Sequence, residues 1–585
     1  VCGVAGVCLK PHARDVEAAR LTADLLAWLR HRGPDGCGVI DRGRAALGMA
    51  RLRVRSAPEA SVPFTDAETG AVHAFNGEVY RDGAMTPGGG LDEARSACEP
   101  ELVDGMYAAA SSPSEHVLRL VRDPLGIKPL YVRETPVGVA VSSEVVPLLG
   151  AFGPASVRTE AFAQFLLTGR RVVDGGSFFE GIRPVAPGES MTLEAGEITA
   201  STRSVPRCSE PSAPAPGELR ARFEEAVDRV LLSERPIGVA LSGGLDSTIL
   251  ARVLARRGVR HMPTVSVCPE GTGDGVRSLG ELGLNDGAVA TWRHRWTSFG
   301  PSDLLDGLPS AVRAFGEPVA MTSVPMYAAL AKLAGASGIT VLLVGEGADE
   351  LFAGYDRYVP LYAGTVGDPV DFYLSQERLK LVRELIGSDL AEAAADALRA
   401  AVGRSEAVAE QRHGRRPGSV DVVREFEYEH SLEPLLRRTD HLLMAEGIEG
   451  RTPFLHAGIP DLARRYPSSA LVRGNLTKAV LREEFADLLP SHYRKMAKQP
   501  FRAPVHRWFS GTGLPRMDSA LAGTTELLYH GLGVLPTGVR TLRDRLAQGD
   551  PLAFTMAFGL LCAAEWISWL EESPTAEEEA SYAGR

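Results

Sequence analysis

Cysteine is scarce: seven in 585 residues, an odd number, scattered and without a Cys-x-x-Cys pair. That spacing argues against a disulfide framework and a zinc site, and makes the cytoplasm the default location. No long uncharged apolar run is present. The best candidate, 554–570, carries Glu565 and reads as a buried helix rather than a membrane span. The first residues lack a basic segment followed by an apolar one, so no secretory leader is expected. Basic residues are outnumbered by acidic ones, and a net charge of −11 argues against nucleic acid or a membrane as partner. No Walker loop ending in Gly-Lys-Ser/Thr occurs, and no short-period repeat. What remains is the composition of a soluble globular protein with ample material for cores. The length implies several domains at roughly 100–200 residues each.

The stretch around which the chain is organised is Leu241-Ser242-Gly243-Gly244-Leu245-Asp246-Ser247. An apolar run from Ile237 leads in and a helical stretch to Arg257 leads out, giving the order strand, glycine turn, helix. Two glycines let backbone approach an anion, and the helix start offers unpaired N–H groups and a positive dipole end. Ser242 and Ser247 can donate to phosphate oxygens, and Asp246 can hold magnesium through carboxylate oxygen. The string resembles the pyrophosphate loop of the N-type ATP pyrophosphatases. That resemblance implies ATP split to AMP and pyrophosphate while a carboxylate is adenylated. A later run, Ile339 to Val344, ends in Gly345-Glu346-Gly347-Ala348-Asp349-Glu350. Strands alternating with helices across glycine-rich crossings predict a parallel sheet with ligands at the strands' carboxyl ends.

The N-terminal third carries a different set of motifs. Cys2-Gly3-Val4-Ala5-Gly6 opens the chain after Val1. His31-Arg32-Gly33-Pro34-Asp35-Gly36, Ala50-Arg51-Leu52, Asn76-Gly77-Glu78 and Arg122-Asp123-Pro124-Leu125-Gly126 follow in order. Were Val1 removed, Cys2 would carry a thiol and a free α-amino group together. Such an amine, with a pKa of about 7.7–8 in model compounds, can act as base for its own side chain. Together these strings resemble the class II glutamine amidotransferase domain, an N-terminal-nucleophile hydrolase of αββα sandwich form. The resemblance implies that Cys2 attacks the glutamine amide and releases ammonia, with Asn76 and the Gly77 N–H as oxyanion hole. Arg51 would pair with the glutamine α-carboxylate, and Glu78 would help hold its α-amino group. The segment 81–104 is short for this family, and Glu99 is the nearest acidic candidate for the aspartate that grips the amino group. The nucleophile and oxyanion motif are retained, so glutamine hydrolysis is the expectation.

The Ser-Gly-Gly-Leu-Asp-Ser and Gly-Glu-Gly-x-Asp-Glu strings in one chain resemble the asparagine synthetases, over the chain to about residue 510. The resemblance implies ATP at Leu241, Ser242, Gly243, Gly244, Leu245, Asp246, Ser247, Val267, Val344, Gly345 and Glu346. It implies magnesium on Asp246 and Asp349, and Glu346 beside the reacting acyl group. Lys478 would stabilise the adenylation transition state, and Arg451 would contact the acceptor. Domains are expected at 1–206 and 218–570, joined by a proline-rich linker 207–217 and followed by an acidic tail 571–585 expected to be disordered. The partners are glutamine, ATP and aspartate or another carboxylate, and a homodimer is compatible with the reading. Two departures leave the acceptor open: Met321 replaces an aspartate in the stretch Gly316-Glu317-Pro318-Val319-Ala320-Met321, and Asp440-His441 replaces a usual Asp-Arg pair. A secondary-metabolism amidotransferase or lactam-forming cyclase of the same fold is the alternative.

Overall fold

The computed structural model describes residues 2–55, 61–80, 90–98, 103–169, 172–204, 213–284, 287–413, 416–498, 501–511 and 513–572. Glu99 and the tail beyond Glu572 lie outside the described residues. Two six-stranded antiparallel sheets are built from residues 2–203. The first runs Ile182–Pro184, Tyr131–Thr135, Gly138–Ser142, Cys2–Leu9, Ala45–Arg51, Cys37–Asp41. The second runs Glu197–Arg203, Glu189–Glu194, Val117–Arg122, Gly105–Ser114, Val72–Val79, Phe64–Thr65. Alternate residues of both (Val4, Leu47, Met49, Ala74, Ala108, Leu120, Val141) meet in one apolar layer, as period-two strands stacked face to face require. The Ala18–Trp28 helix covers the outer face of the first sheet, and the short Leu91–Ala97 helix lies against the second.

The third sheet has five parallel strands in the order Arg293–Phe299, Pro263–Pro269, Ile237–Ala240, Val341–Leu343, Glu449–Arg451. Numbered along the chain, that is 3-2-1-4-5, the doubly wound order. Val341 and Leu343 pack into the core under the Glu218–Val230 and Leu245–Arg256 helices, while Leu342 and Val344 pack into the opposite core with the Ser323–Gly335 helix. Both faces are covered, which is why these strands read as continuous apolar runs. Strand order reverses between Ile237–Ala240 and Val341–Leu343, and ligands bind beyond the carboxyl ends at such a point. The two glycine loops follow those two strands.

The halves are joined by a polar seam and an apolar one. In the polar seam the Leu432–Met444 helix is buried along its whole length. Its Asp440 carboxylate sits 2.6 Å from Arg32 Nη2 and 3.2 Å from Lys128 Nζ, and Arg32 also donates to Glu144 at 2.6 Å. In the apolar seam, the Pro551–Glu572 helix sets Trp566 edge-on against Phe178 and Phe179, and its indole N–H donates to the Gly316 carbonyl. That helix is long and apolar enough to cross a membrane, but 78% of its most apolar window is buried inside the protein, consistent with a core helix.

Two outcomes follow from the seams. Trp566→Ala removes a fully buried indole and is expected to cost about 3–5 kcal/mol of stability, read as a lowered urea midpoint by circular dichroism. The second is a pH effect. Burial pushes the His441 imidazole down to about 4, against the pull of Glu144 and Asp440. The unfolded chain takes up that proton below about 6.5, while the folded protein waits until about 4. Stability therefore falls as pH drops through that window, by about 3 kcal/mol in the limit. Urea titrations at pH 7.5, 6 and 5 should show this loss in the wild type and less of it in His441→Gln.

Candidate functional site

Cys2 opens a central strand of the first sheet and Asn76-Gly77-Glu78 lie in the second, so stacking the sheets brings them together. The Cys2 backbone N–H donates to Asn76 Oδ1 at 3.0 Å. This leaves the Asn76 amide nitrogen, wholly buried, without a hydrogen-bond partner among the described residues. An orphaned donor beside a thiol suits an oxyanion. Gly77 has φ +130, and a Cβ there would stand 1.7 Å from the Met106 carbonyl oxygen, so only glycine fits. Burial pushes the Cys2 thiol up, opposed by the chain-terminal ammonium, a hydrogen bond from the Leu52 backbone and the Arg51 charge. Arg51 is the direct cross-strand partner of Cys2. The His31–Gly36 motif locks the end of that strand: Arg51 N donates to the Gly36 carbonyl at 2.7 Å and Arg53 N to Asp35 at 2.8 Å. Glu78 has partners that the sequence did not indicate. Its buried carboxylate lies 2.8 Å from Arg55 and 3.4 Å from Arg451, and Arg55 also pairs with Glu93.

At the switch point the Ser242–Ser247 loop is held by its own hydroxyls. The Ser242 and Ser247 Oγ atoms are 3.1 Å apart, and Ser247 Oγ also receives the Ser242 N–H at 3.3 Å. Gly243 has φ +78, and the Tyr493 hydroxyl donates to its carbonyl at 2.9 Å. The first-turn N–H groups of the Leu245–Arg256 helix then face the strand ends. Gly345 lies directly over this loop, because a Cβ there would be 3.2 Å from Asp246 Cβ and 3.4 Å from Ser247 N. Val267, in Pro263–Pro269, and Val344, just past Val341–Leu343, lie on the two strands that flank Ile237–Ala240.

Lys478 joins the two loops. Its Nζ is 2.6 Å from Asp246 Oδ2 and 2.6 Å from Asp349 Oδ1, and Lys498 pairs with the other Asp349 oxygen. The two ammonium groups hold the buried Asp349 carboxyl far below the usual range. Lys478 adopts φ +53, a left-handed conformation that a lysine keeps only when its surroundings impose it. Gly354 makes room: a Cβ there would be 2.1 Å from both Asp349 Oδ1 and Lys478 Cε. Asp246 Oδ1 is buried without a hydrogen-bond partner among the described residues. An orphaned carboxylate oxygen beside two ammonium groups and a serine-glycine loop fits a magnesium-bound polyphosphate, the lysines facing phosphate and the aspartates the ion. No cluster of three or more His, Cys, Asp or Glu side chains suited to a metal exists among the described residues. Magnesium commonly takes one or two carboxylates and fills its shell with phosphate and water, so that finding does not oppose the fit.

Glu346 pairs with Arg438, whose Nη1 donates to Ser323 Oγ at 2.7 Å and whose guanidinium lies 4.5 Å from the centre of the Tyr327 ring. Sequence reading missed Arg438. The available signal was the string Arg437-Arg438-Thr439-Asp440 inside an otherwise apolar helical window. Arg451 requires correction. It is fully buried, with Nε on Glu449, Nη1 on the Val230 and Leu232 carbonyls at 2.8 and 2.7 Å, and Nη2 toward Glu78. Strand alternation puts residues 449 and 451 on one face, the face that meets the N-terminal half. Arg451 therefore fastens the halves and does not reach an acceptor beside Glu346. Met321 is buried, and Asp440 and His441 lie in the polar seam.

A buried cysteine beside an unpartnered amide between stacked sheets, joined to a serine-glycine loop on a doubly wound sheet, suits a two-centre class: a glutamine amidotransferase domain coupled to an ATP-dependent amide-forming domain. Residues 218–569 match the family model described as asparagine synthase, and residues 1–85 and 96–204 match the glutamine amidotransferase domain. The chain belongs to the asparagine synthase family. It is similar to asparagine synthetase [glutamine-hydrolyzing] 1 of Bacillus subtilis (strain 168), 25% identical, covering 87% of this chain and 88% of the relative. Asparagine synthetase B [glutamine-hydrolyzing] of Escherichia coli (strain K12) is 26% identical, covering 86% and 82%. Asparagine synthetase [glutamine-hydrolyzing] of Asparagus officinalis is 25% identical, covering 93% and 84%.

The geometry around Gly354 predicts that Gly354→Ala displaces both Asp349 and Lys478. AMP release should fall by about 100-fold or more, the usual cost of an ångström's misplacement, while glutamate release at Cys2 is retained. Parallel assays of the two products check it.

Proposed function

We propose that the protein makes an amide from a carboxylic acid, aspartate in the first instance, with glutamine as nitrogen source and ATP as activator. The observation that carries this is the meeting of Asp246, Asp349 and Lys478 at the strand-order reversal, with Glu346 on the same loop as Asp349. On this reading Cys2 Sγ attacks the glutamine side-chain amide, Asn76 and the Gly77 N–H take the oxyanion, and Arg51 takes the α-carboxylate. Preorganised donors of that kind contribute about 3–4 kcal/mol to the barrier reduction. Ammonia leaves, and water cleaves the acyl-cysteine that remains, releasing glutamate and restoring the thiol. In the second half the acceptor carboxylate attacks the α-phosphate of ATP. The Ser242–Ser247 loop binds the leaving pyrophosphate, and Lys478 offsets the charge that develops there. Asp246 and Asp349 would hold magnesium, which supplies charge neutralisation on the phosphates. Ammonia then attacks the activated acyl carbon, AMP departs, and Glu346 is the carboxylate placed to accept the proton that the nitrogen sheds. Arg438, beside Glu346, is the guanidinium within reach of a second carboxylate on the acceptor. We place the domain division at 207–217, and a cytoplasmic location suits the soluble substrates.

A second reading keeps the chemistry and changes the acceptor. The buried, uncharged Met321 in place of a carboxylate favours an acid with less charge than aspartate.

The test is AMP and amide formation with ATP, magnesium and aspartate, comparing glutamine with ammonium. Cys2→Ala should abolish turnover with glutamine and spare turnover with ammonium, while Asp246→Asn should abolish AMP formation with either donor. AMP formation without dependence on aspartate would move the search to the second reading, and no AMP with any carboxylate would overturn the assignment.

A further inference from the structure

His441 sits in the middle of the polar seam with one ring nitrogen unaccounted for. The side chain is 2% exposed and stacks on Phe315, ring centres 5.5 Å apart. Its Nδ1 lies 3.1 Å from the Arg437 carbonyl. A carbonyl only accepts, so Nδ1 carries the proton of the neutral ring. Nε2 is then a bare lone pair, and it has no hydrogen-bond partner among the described residues. Leaving a buried acceptor unpaired costs about 1–3 kcal/mol, a cost that an apolar ring stacked on Phe315 would avoid.

The helix that bears His441 stands between the two reaction centres. With Asp440 as zero, a turn of roughly 100° per residue puts Arg437 at about 60°, His441 at about 100° and Arg438 at about 160°. Asp440 points to Arg32, whose Nε donates to the Cys2 carbonyl at 3.3 Å. Arg438 points to Glu346. His441 occupies the sector between those directions. The charged groups around its ring are Glu144, Asp440, Arg32 and Arg437. Glu144 and Asp440 are already paired with cations, and the arginines are donors only. Beside these charged groups, the ring nitrogen is a neutral acceptor that no described residue engages.

We propose that His441 Nε2 is a hydrogen-bond acceptor for ammonia passing from the Cys2 centre to the Glu346 centre. The inference rests on the two-centre function set out above. Ammonia donates one N–H to the lone pair and keeps its own, so no proton changes hands and it arrives at the acyl carbon as a neutral nucleophile. Burial in this sector disfavours its conversion to ammonium, as it disfavours protonation of the ring itself.

The experiment uses the full-length enzyme and measures amide formed per glutamate released, with glutamine as donor, beside amide formation from ammonium supplied in solution. His441→Phe keeps the stack on Phe315 and removes the acceptor. His441→Gln restores an acceptor oxygen near the position of Nε2. The expected result is that His441→Phe retains glutamate release and ammonium-driven synthesis while the amide-to-glutamate ratio falls about five-fold, the size of one hydrogen bond. His441→Gln recovers most of the ratio. A wild-type ratio in His441→Phe overturns the proposal, as does a His441→Gln ratio as low as that of His441→Phe. A parallel fall of all three activities with a lowered melting temperature assigns His441 to packing alone and also overturns it. A wild-type enzyme that makes no amide from ammonium overturns the function itself, and the proposal with it.

Discussion

The carboxylate of Asp440, shared between Arg32 and Lys128 in the interior, is the interaction on which the arrangement of the two halves depends. Taking three charged side chains out of water carries a desolvation penalty of several kcal/mol per ion, so such a cluster persists only when every member is matched. Here matching is possible in one docking geometry. Arg32 must reach Glu144 and Asp440 at once, and Lys128 must be presented by the turn whose backbone N–H groups converge on buried Asp123. The cluster acts as a registration device: apolar surfaces attract over many relative orientations, whereas this set of charges is satisfied in one. Because Arg32 also touches the Cys2 carbonyl, the element that aligns the halves begins at the backbone of the proposed nucleophile.

A second alignment comes from the sheet. Arg451 donates its backbone order to the parallel ladder, where the Val344 N–H reaches its carbonyl at 2.9 Å, and its guanidinium to the glutaminase side through Glu78. One residue thus touches the strand that delivers Glu346 and the residue next to the proposed oxyanion glycine. Burial of all its polar atoms makes it a fixed strut, in contrast to Lys478, the group proposed above to meet phosphate, which has a left-handed backbone and a doubled carboxylate contact.

Much of this was legible in the sequence, and the reasons are local. Ser242–Ser247 and Gly345–Asp349 are contiguous strings whose glycines serve a left-handed turn or a close backbone approach, and Gly77, where a Cβ would stand 1.7 Å from a carbonyl oxygen, belongs with them. The parallel sheet followed from apolar runs separated by helical windows, whereas its strand order came from the fold. What the sequence hid was long-range pairing. Nothing local distinguishes Arg438, which reaches Glu346, from Arg451, which does not. Both are arginines beside familiar strings, and their separation depends on which face of a helix or strand meets which half. Glu78 likewise follows the oxyanion motif by one residue, yet its partners Arg55 and Arg451 come from elements that sequence order keeps apart. Glu93 gave no signal because its role is to share Arg55.

The Trp566 contact carries a consequence for synthesis. Phe178 and Phe179 leave the ribosome early, but the indole that covers them belongs to the last described helix. Until the Pro551–Glu572 helix has been made, the nascent N-terminal half therefore displays an aromatic patch whose cover does not yet exist. The order of manufacture sets a window in which this apolar surface faces water, and an N-terminal fragment released on its own would keep that window open for its whole lifetime.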